Sequence, residues 1–261
     1  MSPTVSVLMC VYNETKFVDE TLRSILTQSY RDFEFIIVVD NPEHDWKTHF
    51  SIYDDNRIRI YYNDQNIGLT KSLNVGLRHC FGKYVARIDA DDIALNKRFE
   101  IQVKFLEENP EVDVLGTPAF IIDEHGNEIG RIRLNQSNHQ ITRGLLFKNQ
   151  IVHPSVMIRR EKFAQYGQYN ETFKRSQDYE LWLNWRKKVQ FRNLEIPLLK
   201  YRRHTLSITQ SNNIGQRISG IEMMHAYVSK SNLTFSERLL TVLFFLKQFF
   251  KLLKLTYKTS R

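Results

Sequence analysis

With 261 residues, of which 42% are hydrophobic and 25% charged, the chain is long enough for one large domain or for one domain with an appendage. The net charge of +8 conceals an asymmetry, because residues 1–130 hold 13 Lys and Arg against 22 Asp and Glu, whereas residues 131–261 hold 24 against 7. Such a basic half is either a solvated surface or a contact for an anionic substrate, a membrane or nucleic acid. Because no helix-turn-helix, zinc-finger or RNP-like pattern accompanies the charge, nucleic acid is not an expected partner.

The chain begins with Met1-Ser2-Pro3 and runs straight into an apolar stretch, with neither a basic segment nor a small-residue cleavage site. No signal peptide is therefore expected. The two cysteines, Cys10 and Cys80, are far apart and lack metal-ligand spacing. In a chain of this length, that pattern favours a cytoplasmic protein over one stapled by disulfides.

The first half of the chain alternates short β-rich runs with segments of helical periodicity. The predicted strands are Val5–Val11, Glu34–Val39, Ile58–Tyr62 and Tyr84–Ile88. Between them, apolar residues repeat at helical spacing from Phe17 to Leu26 and from Leu69 to Cys80. This alternation predicts an α/β fold with a mostly parallel, Rossmann-like sheet and helices on both faces. In such sheets, ligands bind in the crevice beyond the carboxyl ends of the strands.

The elements that follow mix without strict alternation. We expect a helix from about Asn96 to Glu108, a strand at Val112–Gly116, and a hairpin within Phe120–Ile129 that turns at His125-Gly126. Strand and helix signals of this mixed kind end near Tyr201. The simplest division is an α/β domain over residues 1–210 and a helical tail over residues 211–261.

Carboxylates cluster where the fourth predicted strand ends, at Asp89-Ala90-Asp91-Asp92. Aspartates clustered at a strand end either hold Mg²⁺ or Mn²⁺ together with substrate phosphate oxygens, or cap the next helix and face solvent. Three carboxylates after an apolar strand of a parallel sheet favour the metal. Asp40 closes another strand, so we expect it in the same crevice, beside the Asn13 and Glu14 that follow the first strand.

The first loop between strand and helix narrows the choice of phosphate compound. The segment Cys10-Val11-Tyr12-Asn13-Glu14 contains no glycine, so neither a dinucleotide fingerprint nor a P-loop is present there. Phosphate would then be held by a metal ion and cationic side chains rather than by a glycine-rich loop. This argues against ordinary NAD enzymes and P-loop NTPases.

Seven segments, in this order, resemble those of one enzyme family. They are VSVLMCVYNE, IIVVDN, NIGLTKSLNVGL, YVARIDADD, HPSVMIRR, SQDYELWL and YRRHTLSIT, and they cover roughly residues 4–209. The chain is identified from them as resembling a family 2 glycosyltransferase with the GT-A fold, of the kind that builds bacterial capsule, exopolysaccharide or O-antigen. The resemblance implies an inverting enzyme that normally uses a UDP-sugar and needs Mn²⁺ or Mg²⁺.

For the nucleotide sugar, the resemblance implies a pocket lined by Val11, Tyr12 and Glu14. Asp40 would accept a hydrogen bond from the uracil ring, and Asp89 would face the ribose. One departure concerns the loop beyond Asp40, which reads Asp-Asn-Pro-Glu-His-Asp where such sequences often read Asp-Asp-Gly-Ser-x-Asp.

For the chemistry, the resemblance implies that Asp91 binds the metal bridging the diphosphate and that Asp178 is the catalytic base. The usual acidic pair before the catalytic helix is here Gln177-Asp178, so one acid remains. A single carboxylate suffices for a direct, inverting displacement, in which it takes the proton of the attacking hydroxyl; two flanking carboxylates would suggest hydrolysis. The alternative role of Asp178 is an N-cap of the helix that it opens.

Other candidates are less specific. Asn66 and Lys71 fall around the start of a helix near the donor, where Lys71 is either a phosphate contact or a surface lysine. His204, beside Arg202 and Arg203, either completes the metal shell, holds the diphosphate or belongs to a solvated basic loop.

Three aromatic or heterocyclic residues favour structural interpretations. His153 precedes a proline in a loop, and a hydrogen-bonded structural histidine is the favoured interpretation. Trp182 and Trp185 lie within an apolar helical run, which is more typical of a core than of platforms for a sugar ring.

The tail segment ERLLTVLFFLKQFFKLLKLTYK repeats lysines at steps of four, three and four residues, at Lys247, Lys251, Lys254 and Lys258. Its longest apolar run, Val242–Leu246, is far shorter than the roughly 20 residues needed to span a bilayer. A basic amphipathic helix rich in Phe and Leu suits the surface of an anionic membrane. The alternative is packing on the domain or on a second subunit.

The sequence thus predicts a metal-dependent glycosyltransferase on the cytoplasmic face of a bacterial membrane. It would transfer a hexose, with glucose or galactose favoured, from a UDP-sugar to a lipid-linked saccharide. Two other hypotheses are a phosphotransferase with Asp89 as nucleophile and a non-catalytic subunit that binds a nucleotide sugar.

Overall fold

The computed structural model describes residues 2–13, 15–204 and 213–259, with the side chains of residues 213–217 and 251–259 outside that description. The strands, in chain order, are β1 (Val5–Val11), β2 (Phe33–Val39), β3 (Ile58–Tyr62), β4 (Tyr84–Arg87), β5 (Ile93–Ala94), β6 (Val114–Gly116), β7 (Ala119–Ile122), β8 (Glu128–Ile132), β9 (Met157–Arg159), β10 (Phe191–Asn193) and β11 (Leu199–Arg202). The four strands predicted in the first half are therefore present, with boundaries shifted by at most one residue. The strand predicted from Val112 begins at Val114.

The larger sheet has seven strands in the order β10-β6-β9-β4-β1-β2-β3. Neighbouring strands are parallel except around β9, which runs antiparallel to β4 and β6. The predicted mostly parallel sheet is confirmed. Because β4, β1 and β2 are adjacent and parallel, their carboxyl ends lie side by side at one edge of the sheet.

The smaller sheet has four strands in the order β5-β11-β7-β8. Strands β7 and β8 form the predicted hairpin, and Gly126 takes a positive φ of 86° in its turn. Strand β11 pairs with β5, which follows the carboxylate cluster closely in the chain. This pairing brings Arg202, at the end of β11, to Asp92, which lies 110 residues earlier in the chain and just beyond the carboxyl end of β4.

Helices cover both faces of the larger sheet, as predicted. They are α1 (Val18–Leu26), α2 (Trp46–Phe50), α3 (Leu69–Arg78), α4 (Arg98–Glu108), α5 (Asn138–Gly144), α6 (Glu161–Tyr166), α7 (Gln177–Trp185), α8 (Asn213–Lys230) and α9 (Phe235–Thr259). The helix predicted from Asn96 thus begins at Arg98. Alternate residues of β1 point to opposite faces, so that Val7 and Met9 pack with α1, α2 and α4 while Leu8 and Cys10 pack with α3 and α7.

Helix α3 packs very closely against the sheet, and a glycine makes this possible. A Cβ atom on Gly76 would lie 2.2 Å from Cδ1 of Leu8 in β1. The close approach fixes the position of α3, whose N-cap residue Gly68 has a φ of 85° and lies next to the end of β2.

The helical tail packs against the domain. Met223, Met224 and Phe244 are buried in the same apolar cluster as Trp182 and Trp185. Within the described residues, no helix combines the length and apolar character needed to cross a bilayer. The predicted domain boundary at residue 210 lies outside the described residues, and membrane binding by the tail remains a prediction.

Candidate active site

Asp40 follows β2 directly and connects it to the start of α3. Its carboxylate is 4% exposed and accepts hydrogen bonds from Asn63 Nδ2 at 2.8 Å, the backbone N–H of Ile67 at 2.9 Å and that of Gly68 at 2.8 Å. A carboxylate offers about four acceptor positions, so one more donor can be accommodated. Asp40 thus shapes the crevice, and its contact with a uracil ring remains a prediction.

The loop after β1 borders the same crevice. Val11 is buried as the last residue of β1, whereas the side chain of Tyr12 is 43% exposed. Asn41, which follows Asp40, donates a hydrogen bond to Asn13 Oδ1 at 2.6 Å and so joins the loops after β1 and β2. Glu14, predicted to line the nucleotide pocket, lies outside the described residues.

The residues predicted near the start of α3 differ in their surroundings. Asn66 is exposed and accepts a hydrogen bond from the backbone N–H of Gly68 at 3.0 Å, while Lys71 is exposed on α3. Asn74 is buried and holds the backbone of Tyr169 through two hydrogen bonds of 2.9 and 3.1 Å. Asn74 thereby fixes Tyr169 below the crevice.

The carboxylate cluster after β4 is present, and each of its members has a different partner. Oxygen atoms of Asp89, Asp91 and Asp92 all lie within 4.8 Å of one another. Asp89 forms an ion pair with the buried guanidinium of Arg87, and Asp91 Oδ2 lies 2.9 Å from His204 Nε2. The structure therefore brings together Asp91 and His204, both predicted as metal ligands.

Asp92 differs from its neighbours because it is fully buried. It accepts a hydrogen bond from the backbone N–H of Arg202 at 2.8 Å, and its Oδ2 atom has no hydrogen-bond partner among the described residues. Burial, together with the charges of Asp91 and Asp89, raises the pKa of Asp92 well above its usual range. This side chain therefore anchors the end of β11, leaving Asp89 and Asp91 to face the crevice.

Arg202 organises the cluster from the smaller sheet, a role that its position in a basic run did not reveal. Its Nε atom donates to the backbone oxygen of Asp91 at 2.8 Å, and its guanidinium forms an ion pair with Glu20 and lies 4.5 Å from the centre of the Phe17 ring. His204, two residues further on, reaches Asp91. Residues two apart in an extended segment point the same way, and this spacing is the signal that could have linked Arg202 to His204.

Asp178 lies at the second position of α7. The N-cap position belongs to Ser176, whose φ of 57° is in the left-handed region, so the N-cap role considered for Asp178 is wrong. Burial raises the pKa of Asp178, while hydrogen bonds from the backbone N–H of Tyr179 and from Asn149 lower it. Asn149 Nδ2 donates to Asp178 Oδ2 at 2.7 Å. A carboxyl group with a raised pKa, held in a fixed orientation, is suited to proton transfer.

Asp178 lies within electrostatic range of Asp89 although 88 residues lie between them in the chain. The negative charge of Asp89 is among the causes that raise the pKa of Asp178, after burial. Both carboxylates also contribute to raising the pKa of the buried Tyr169, for which burial is the largest cause. The charges of the candidate base and of Asp89 therefore act on one another and on the same buried tyrosine.

The floor of the site is a buried network. His153 Nε2 lies 2.7 Å from the hydroxyl oxygen of Tyr169, and burial lowers the pKa of His153 well below its usual value, with the charge of Arg87 adding to the effect. His153 is therefore a buried, hydrogen-bonded structural histidine, as predicted, and its lowered pKa favours the neutral ring. Arg87, which the sequence pattern indicates only as part of a strand, belongs to this network through its ion pair with Asp89. A buried cation next to Asp89 offsets part of the cost of burying that carboxylate.

Trp182 and Trp185 are fully buried in the apolar cluster behind α7. The core interpretation of both residues is confirmed.

Solved structures of other proteins share this fold. The chain resembles residues 1–349 of S. aureus TarS in complex with UDP-GlcNAc, with a TM-score of 0.73 and 17% identity over 96% of this chain and 73% of that one. It covers 43% of the longer TarS chain. It also resembles the mannosyltransferase PcManGT from Pyrobaculum calidifontis in complex with GDP-Man and Mn²⁺, with a TM-score of 0.66 and 15% identity over 93% and 69% of the two chains. These likenesses concern the fold, and they confirm the predicted GT-A architecture.

Sequence comparison then identifies the family. The family model described as Glycosyl transferase family 2 matches residues 6–167. An uncharacterized glycosyltransferase of Methanocaldococcus jannaschii, MJ1057, is 35% identical over 255 residues, which are 95% of this chain and 86% of the relative. The O-antigen biosynthesis glycosyltransferase WbnJ of Escherichia coli is 34% identical over 79% and 82% of the two chains. The amylovoran biosynthesis glycosyltransferase AmsE of Erwinia amylovora is 35% identical over 68% of each. The chain belongs to glycosyl transferase family 2.

Proposed function

We propose that this family 2 glycosyltransferase transfers a hexose from a UDP-sugar to a saccharide acceptor and inverts the anomeric centre. The observation that supports this most directly is the cluster of Asp89, Asp91 and the adjoining His204 beyond β4, to which Asp178 adds a buried carboxyl group whose pKa is raised by burial and by the charge of Asp89. These groups would supply a base for the acceptor hydroxyl and a site for the diphosphate. The resemblance of the sequence favours glucose or galactose as the sugar.

The donor atoms at the cluster fit Mn²⁺ or Mg²⁺. Carboxylate oxygens of Asp89, Asp91 and Asp92 lie within 4.8 Å of one another, the Oδ2 atom of Asp92 is buried without a partner among the described residues, and an imidazole adjoins Asp91. Hard divalent ions prefer oxygen ligands, and Mn²⁺ also accepts imidazole. We assign Asp91 and His204 as the residues that would hold the ion. A divalent ion there would stabilise the negative charge of the departing diphosphate.

A side chain of the protein would take the proton of the acceptor hydroxyl. The acceptor hydroxyl oxygen forms a bond to C1 of the sugar, the bond from C1 to the diphosphate oxygen breaks, and its electron pair leaves with UDP. Asp178 takes the hydroxyl proton, and Asn149 keeps its Oδ2 atom in place through the 2.7 Å hydrogen bond. Because Gln177 replaces a second acid, the chain supplies one base, as a direct displacement requires.

The names of the relatives support a role in surface polysaccharide synthesis. The relatives in Escherichia coli and Erwinia amylovora are named for O-antigen and amylovoran biosynthesis. We therefore propose a growing saccharide, linked to a lipid, as the acceptor, and a peripheral position on the cytoplasmic face of the membrane.

The proposed activity is tested by incubating the full chain with a panel of UDP-sugars, and with GDP-mannose as a matched control, with and without Mn²⁺. We expect release of UDP from one or two UDP-sugars, dependent on metal. Binding of UDP without turnover of any sugar would identify a non-catalytic subunit. Trapping of an acid-stable phosphate on Asp89 would identify a phosphotransferase.

A further inference from the structure

The outer face of α9 presents a continuous apolar stripe. Its members are Phe235, Leu239, Val242, Leu243, Leu246, Phe249 and Phe250, each between 43% and 86% exposed. At about 100° of rotation per residue they fall within an arc of roughly 120° on one side of the helix. They make up half of the large exposed apolar side chains in the described part of the chain. Isolated exposed apolar residues are ordinary, whereas a stripe of this size marks an interaction surface.

The opposite face of α9 packs against the domain, so the stripe faces away from the domain. Thr241 and Phe244 are buried against the domain, and Glu237 forms an ion pair with the buried Arg186 at the end of α7. Lys247 lies over the ring of Phe147, with its Nζ atom 4.2 Å from the ring centre. Rotating α9 to bury the stripe would break these contacts, so the stripe is not a second core face.

A groove of about 460 Å³, whose lining is mostly apolar and includes the cationic residues Arg143 and Lys148, adjoins α9. Leu240 of α9 forms one side, and α5 and the segment that follows it form the other, with His139, Arg143 and Lys148 among the lining residues. No carboxylate lines the groove within the described residues. The segment also includes Asn149, which holds Asp178, so the groove lies on the side of the molecule from which the base is positioned.

We propose that the stripe and the groove form one docking surface for an anionic lipid bilayer. Charge complementarity selects this occupant. Residues 234–261 contain one acid, Glu237, which is already paired with Arg186, against six Lys and Arg. Two copies paired through the stripe would both carry this excess of positive charge in their sequence, which opposes their association, whereas anionic headgroups would neutralise it. The apolar side chains would enter the interface between headgroups and acyl chains, as in amphipathic helices that lie flat on membranes.

The proposed docking surface rests on the proposed peripheral location and specifies which part of the protein contacts the membrane. It would hold the enzyme where a lipid-linked acceptor resides. Its test uses no nucleotide sugar, so failure of docking and failure of the transferase assignment are distinguishable. A chain that releases UDP from its donor but ignores vesicles would retain the proposed reaction and lose the docking surface.

The test is flotation of the full chain with vesicles of phosphatidylcholine alone, and of phosphatidylcholine and phosphatidylglycerol in equal parts, at low and high salt. Leu246→Glu places a charge in the stripe, and Ile196→Glu is its matched control, because the two side chains are 46% and 47% exposed. We expect the unmodified chain and the control to float with the anionic vesicles at low salt, and Leu246→Glu to lose at least about tenfold in affinity. Arg143→Glu should weaken the same binding and reduce its salt dependence.

Equal flotation of Leu246→Glu and the control would overturn the proposal, as would absence of flotation of the unmodified chain. Light scattering without vesicles tests the remaining possibility, which is that a second copy of the chain covers the stripe. A dimer that Leu246→Glu converts to a monomer would show that a second copy covers the stripe, and would also overturn the proposal.

Discussion

Replacement of Asp178 by Asn tests the candidate base most directly. The amide keeps the size of the side chain and retains an oxygen that can accept the 2.7 Å hydrogen bond from Asn149, but it cannot take a proton from an acceptor hydroxyl. A positioned base contributes about 10²–10⁴-fold to a rate. We therefore expect transfer to fall by that factor, equivalent to an activation barrier raised by about 3–5 kcal/mol, while UDP affinity stays within a few-fold.

The same substitution should not reduce stability at neutral pH. Burial raises the pKa of Asp178 in the folded state, and the neighbouring charge of Asp89 raises it further. A carboxyl group with a raised folded-state pKa contributes stability that is fully present below the ordinary value of 3.8 and is lost as the pH rises through the folded pKa. Above its folded-state pKa, Asp178 is thus a net cost to folding, which Asn removes.

Three measurements decide the outcome. They are transfer and UDP affinity at neutral pH, unfolding midpoints at neutral and acidic pH, and the pH dependence of wild-type transfer, which should rise as Asp178 ionises. Asp54→Asn, at an exposed position, is the control for loss of a charge. Transfer within a few-fold of wild type in a folded Asp178→Asn protein would refute the assignment of the base. A large loss of stability at neutral pH would refute the account of its pKa.

Three further predictions concern the metal, the orientation of the base and the tail. Asp91→Asn should abolish the effect of Mn²⁺ on UDP affinity, because the amide loses the charge that a hard cation requires; titration with Mn²⁺ and with EDTA checks this, and an unchanged metal effect would contradict it. Asn149→Ala removes the hydrogen bond that lowers the pKa of Asp178, so the pH profile of transfer should shift to higher pH. The effect on kcat should be larger than the effect on KM. An unchanged pH profile would mean that Asn149 has only a structural role. Truncation after Leu233 removes Phe244, which is 2% exposed. Deleting a buried Phe typically costs roughly 3–5 kcal/mol, so denaturant unfolding should show the domain destabilised by at least that amount. A truncated chain as stable as the full one would show that the tail does not contribute to the core.

The sequence alone determined the core of the fold and much of the site. Alternating β-rich and helical patterns predicted β1 to β4 almost residue for residue. The signal is clearest in β1 and β2, because both strands are buried along their whole length and consist mainly of apolar residues. The rule that ligands bind beyond the carboxyl ends of parallel strands then placed Asp40 and Asp89 at one edge. The ordered motifs identified the family, and the comparisons confirmed it.

Only the tertiary structure showed the partners of the three carboxylates of the cluster. The resemblance of the sequence implies roles for Asp89 and Asp91 and none for Asp92. In the structure Asp89 pairs with the nearby Arg87, whereas the partners of Asp91 and Asp92 are distant in the chain. Asp92 is turned inward to the backbone of Arg202, and Asp91 meets His204 across the smaller sheet. Such contacts depend on how β11 pairs with β5, and no local pattern records that pairing.

The orientation of the tail helix is another feature that the sequence alone does not determine. Its sequence predicts an amphipathic helix, but Leu and Phe occur on nearly every side of it, so the sequence does not say which of them face the domain. The structure decides this through the contact of Phe244 with the cluster behind α7 and the ion pair between Glu237 and Arg186. Periodicity reports that a helix has an apolar face, whereas the orientation of that face depends on the shape and charge of the surface against which the helix packs.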